Sequence, residues 1–162
     1  MATADDLLDV HRRTHATLGR LLDHCAGFSP EALRRDLEGF GYPNLLLQLH
    51  HIVGVERYWM GVLQGRMLVD DPEEERASID ALRALRERVA EATRAYLRGA
   101  SESEIHARRE VTTWHASGVR VAPFHVFLRT QTHAYQHQGQ VAAMCRLLGR
   151  PIPPGLDFSL GE

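Results

Sequence analysis

The chain is 162 residues long, enough for one domain over residues 1–162 that buries about two-thirds of its unfolded surface in a single core. Its composition, 44% hydrophobic and 25% charged, is that of an ordinary globular protein. Nineteen basic and 21 acidic side chains leave a formal charge of −2, which speaks against the clustered positive charge of a nucleic-acid footprint.

The N-terminus, MATADDLLD, is acidic and lacks an apolar stretch, so no secretory signal is read there. A first long helix is expected from about Thr3 to His24. Leu7, Val10, Leu18, Leu21 and Leu22 recur along it at helical spacing, and Gly27 follows as a stop. Ser29-Pro30-Glu31 has the form of a short helical start: a cap, a proline at the first position, then an acid. Pro43 is read as opening the second long helix, to about Gln64. The most apolar run, Tyr42 to Leu63, lies here, but His50, His51, Glu56 and Arg57 interrupt it, so it is no membrane span.

An acidic linker, LVDDPEEE, comes next. The third long helix, to about Arg98, carries Ile79, Leu82, Leu85, Val89, Ala92 and Tyr96 on one stripe, with Gly99 beyond its end. VTTWHASGVRV, residues 111–121, has β-branched runs on either side of Ala-Ser-Gly and reads as a small hairpin or irregular loop. Pro123 begins the last long helix, which ends near Gly149-Arg150-Pro151. The fold class is therefore all-α: a four-helix bundle with long connections and a short hairpin or loop before the last helix. Connections of this length leave helix order and direction open. The two cysteines, Cys25 and Cys145, fit a reduced cytoplasmic protein without a disulfide.

Histidine is unusually frequent, ten in 162 residues. His133 and His137, in THAYQHQGQ, stand four apart, so both rings project from one helix face and can reach a single ion. They lie in line with Val126, Thr130, Val141, Met144 and Leu148, which places them on the bundle-facing side. At this histidine content chance alone gives about 0.6 pairs at that spacing, so the pair by itself is weak. A second pair, His11 and His15, also lies on an apolar stripe. Metal ligation and hydrogen-bonded burial are both open for either pair.

On the second long helix, residues 47, 51, 55, 58 and 62 read as core, so His51 points inward. His50, Arg57 and Gln64 read as a solvated edge, so His50 points outward. The His11–His15 pair is expected beside the site or at its mouth.

Taken together, HHIVGVERYW, THAYQHQGQVAAMCRLLG and the closing LGRPIPPGLDF make the chain resemble the DinB/YfiT-like family of small metal-binding helical bundles. The resemblance spans essentially the whole chain. It rests on His51 followed five residues later by Glu56, and on His133 and His137 followed by Gly139-Gln140. Gln136 stands where relatives often carry a further histidine, a position outside the ligand set. The resemblance implies that His51, His133 and His137 hold a divalent transition metal, zinc or nickel, and it favours the last-helix pair over HRRTH.

Three neutral imidazoles leave an ion its full charge and an open position, the pattern of a reactive rather than a structural site. Such an ion brings bound water to a pKa near 7 or deprotonates a thiol. Relatives include transferases and isomerases that use low-molecular-weight thiols such as mycothiol or bacillithiol. The resemblance thus implies a metal-dependent thiol S-transferase acting on a small-molecule electrophile, with no nucleic-acid or membrane partner. Relatives are often dimers, so a homodimer is implied too.

A metal-dependent hydrolase and a non-catalytic metal-binding stress or detoxification protein are the rivals. No carboxylate is read beside the inward histidines, which disfavours the hydrolase. Gln48 and Gln140 are expected to orient the rings, Tyr58 to line a cavity, and Cys145 to be an inert buried thiol. Glu56 lies about 140° around the helix from His51 and is expected to make a structural hydrogen bond or salt bridge.

Overall fold

Thr3 starts the first helix by exchanging hydrogen bonds with Asp6, each side chain accepting from the other's backbone amide. Helix α1 then runs Ala4–Cys25, and Ser29 caps the short α2, Pro30–Arg34. The computed structural model describes residues 2–69 and 72–160. After α2 come α3 (Leu45–Leu63), α4 (Ile79–Gly99), the short α5 (Glu102–His106), a two-stranded hairpin of β1 (Arg109–Val111) and β2 (Val119–Val121), and α6 (Pro123–Leu147). The four long helices make an all-α bundle, as expected. Among the described residues no helix is long and apolar enough to cross a membrane.

The helix order that sequence left open is a ring. Helix α3 packs along α6 and α1 along α4, while contacts of α3 with α4 and of α1 with α6 close it. Leu21 and Leu22 of α1, Leu45 and Leu49 of α3, Leu82 and Leu85 of α4, and Val141 and Met144 of α6 meet in the main core. Burying each leucine contributes about 1.5–3 kcal/mol. Cys25 and Cys145 meet there too, as free thiols with sulfurs 3.9 Å apart. The hydrogen bond to the neighbouring Cys145 thiol, with burial adding to it, pushes the Cys25 pKa upward.

Several local expectations are corrected. Pro43 does not open α3: Asn44 caps it by accepting from the Leu47 amide at 3.1 Å, while the Pro43 carbonyl accepts from Leu37 at 2.7 Å. The buried stripe of α4 leaves the expected Ala92–Tyr96 line for Thr93 and Leu97. Helix α5 was not foreseen, although Ser101 and Glu104 form a capping box and Ile105 is fully buried. The hairpin pairs antiparallel with Arg109 opposite Val121, and Gly118 supplies its turn at φ +72°. Asp70 and Asp71 of the acidic linker lie outside the described residues, and Glu73–Arg76 forms a 3₁₀ turn.

The closing segment straps two helices. Thr17 of α1 donates to the Asp157 carbonyl at 3.0 Å, Arg13 donates to that of Ser159 at 2.9 Å, and Gln138 of α6 donates to that of Leu156.

Candidate metal centre

Helices α3 and α6, the most closely packed pair, bring His51, His133 and His137 to one point. One ring nitrogen from each lies within 4.8 Å of the others, so the group can hold a metal ion. Nε2 of His51 faces Nε2 of His133 at 3.3 Å. Two nitrogens bound tetrahedrally to one zinc at roughly 2.0–2.1 Å lie roughly 3.4 Å apart, so this spacing suits a shared ion. The ring centroids of His133 and His137 are 4.2 Å apart, as the one-turn separation requires. Tyr42, from the loop before α3, stacks on His51 with centroids 3.9 Å apart. Nothing in the sequence pattern marked Tyr42.

Burial and the charges of His137 and His133 push the His51 pKa down to about 3. Burial, with His137 and Arg129 adding to it, takes His133 to about 4, and burial lowers His137. All three rings are thus neutral at pH 7, the form in which imidazole donates a lone pair.

Gln48 and Gln140 stand where sequence suggested. The buried Gln48 amide nitrogen lies 2.7 Å from His137 Nδ1 and 2.6 Å from Gln140 Oε1, while Gln48 Oε1 is buried without a partner. In that arrangement the amide donates to Nδ1, so the His137 proton sits on Nε2. With both amides turned over, Gln48 Oε1 accepts the Nδ1 proton and Gln140 donates to Gln48, which frees Nε2 for an ion. Metal affinity should therefore fall about 10–100-fold in Gln48→Leu and be retained in Gln48→Glu, which can only accept. Competition with a chromophoric chelator measures this, and equal affinities would remove Gln48 from the site.

The register read for the second long helix, α3, is partly corrected. His50 is buried rather than outward, with Nε2 3.9 Å from Glu75, and Arg57 donates to the same carboxylate at 2.6 Å. The 3₁₀ turn covers the His50 and Arg57 part of the expected solvated edge, while Gln64 is exposed as expected. Conversely, Leu47, His51 and Val55, read as core, line a cavity of about 520 Å³, which Tyr58 lines as expected. His133 borders it as well, and Trp59 and Trp114 add to its aromatic wall. The Tyr58 hydroxyl accepts from the Trp114 amide at 2.6 Å, which ties the hairpin loop to α3.

The His11–His15 pair is not at the mouth. It lies in the interior, where Nε2 of His11 and Nε2 of His15 each stand 2.9 Å from a different oxygen of Glu56. Thr93 of α4 donates to the same carboxylate at 2.6 Å. Burial alone would raise the Glu56 pKa, but the charge of His15 and hydrogen bonds from both rings hold it well below the usual carboxylate range. Burial keeps His11 neutral. Glu56 thus makes the structural bonds expected of it, and with partners unforeseen. The donors lie close enough to hold an ion. Their hydrogen bonds, with that of Thr93, already satisfy the carboxylate.

No curated protein matches the chain. The family model for the DinB family matches residues 5–160, nearly the whole length, and the chain belongs to that family.

Proposed function

We propose that the chain is a metalloenzyme in which His51, His133 and His137 hold one zinc or nickel ion and a low-molecular-weight thiol attacks a small electrophile. The observation that carries this reading is the convergence of three neutral imidazoles from two helices beside a cavity of about 520 Å³. Histidine-only ligation suits zinc or nickel, and three protein ligands leave an exchangeable position. An ion bound there would lower the pKa of a coordinated thiol.

The chain's own residues do the rest. Tyr42 holds the His51 ring by stacking, Gln48 fixes the His137 tautomer, and the aromatic wall keeps water from one side of the reacting group. The hydrolase reading has less support, because no carboxylate is among the described residues lining the cavity to serve as its general acid or base.

Cobalt substitution tests the proposal. Adding a small thiol to the cobalt protein should produce a sulfur-to-metal charge-transfer band that is absent in His137→Ala and unchanged in Cys145→Ser. Metal-dependent ester hydrolysis with no such band for several biological thiols would replace the transferase with the hydrolase.

A further inference from the structure

The cavity wall is apolar and aromatic, yet its charge is one-sided. Arg57 and Arg129 both line it, and no aspartate or glutamate is among its described lining residues. Arg57 is engaged by Glu75 at 2.6 Å. Arg129 has no carboxylate at ion-pair distance among the described residues; its guanidinium lies over the Trp59 ring, 5.5 Å from the centroid. A flat guanidinium seated on an indole face keeps its N–H edge open to a second partner while part of its entropy is already lost. Arg129 also stands one helical turn before His133, so the two side chains project into the cavity side by side.

We propose that Arg129 is the anion anchor of the cavity, and that the molecule processed there carries a carboxylate on an apolar or aromatic body. This rests on the proposed reading only in taking the three-histidine end as the place of reaction. The carboxylate meets Arg129 in a two-pronged hydrogen bond, the body lies against Tyr58, Trp59 and Trp114, and the reacting atom falls beside His133. The volume suits such a molecule, since small-ligand sites run from about 300 to 1,000 Å³. One unengaged guanidinium matches a monoanion better than a phosphate dianion, which calls for several convergent donors.

The chain supplies its own reporter, because its two tryptophans, Trp59 and Trp114, both border this cavity. Tryptophan fluorescence should be titrated with 3-phenylpropionate, with the neutral isostere 3-phenylpropanamide, and with phenyl phosphate. The carboxylate should bind about tenfold or more tightly than the amide, and Arg129→Gln, at an exposed position, should abolish that preference. Arg129→Lys should keep part of it. The preference should persist in His137→Ala, which removes a ligand of the proposed ion without touching the cavity wall. Loss of the metal reading alone would therefore leave this result standing. A preference unchanged in Arg129→Gln, a preference lost with the metal, no binding of any probe, or tighter binding of phenyl phosphate would each overturn the assignment.

Discussion

Alanine at His51, His133 or His137 should lower the affinity for zinc or nickel by orders of magnitude, well beyond the roughly 10–100-fold cost of losing an outer hydrogen bond. Each ring supplies one of three converging nitrogens, and none of the other described residues grouped with them offers a replacement donor. His50→Ala should keep the metal, because the His50 Nε2 atom stands near Glu75 rather than near the cluster. Elemental analysis of untagged protein, with chelator competition for each variant, measures both halves. Retention in His51→Ala together with loss in His50→Ala would reverse the assignment. The bundle core is built apart from the three histidines, so the alanine variants and the chelated wild type should stay helical by far-ultraviolet circular dichroism at room temperature.

The largest loss of stability is expected at the other cluster. Glu56→Ala leaves His11, His15 and Thr93 buried without their common acceptor, and breaking a buried, hydrogen-bonded charge in this way costs about 3–5 kcal/mol. Urea denaturation should show that loss, with a smaller one in Glu56→Gln, which keeps an acceptor oxygen. Acid should act in the same direction. The folded-state pKa of Glu56 is depressed, so its stabilisation is complete above the ordinary carboxylate range and is lost as pH falls below it. The denaturation midpoint of Glu56→Gln should accordingly respond less to acid than that of the wild type. A Glu56→Ala variant as stable as the wild type would mean that the cluster is not a fixed point of the bundle.

The four long helices and the hairpin were legible because amphipathic spacing and turn residues are local signals. Counting registers turned His51, His133 and His137 inward but left the His11–His15 pair as a rival, and only the family resemblance singled out His51 with His133 and His137, which the structure brings together. What periodicity could not supply was the neighbour on each face. An apolar row such as Leu47, Val55 and Tyr58 looks the same whether it faces a core or an apolar cavity, and here it faces the cavity. His50 and Arg57 look like a wet edge until a turn sixteen or more residues away, ending at Arg76, lies over them. His11 and His15 lie on an apolar stripe and Glu56 was expected to make a structural bond, but that they would meet one another and Thr93 across three helices is not written in any one helix. Pairings of that kind depend on the order of the ring, which long connections concealed.

The meeting of Cys25 and Cys145 gives the fold a clock. Both sulfurs are inaccessible, one at the end of α1 and the other near the end of α6, so a thiol reagent reaches either only when the seam between the first and last long helices parts. At low reagent concentration the labelling rate reports how often that seam opens at equilibrium. At saturating reagent it reports the opening rate itself. Nothing need be engineered into the chain for this. Comparing metal-loaded with metal-free protein by the same chemistry would show whether an ion seated between α3 and α6 is felt on the far edge of α6, where α1 docks.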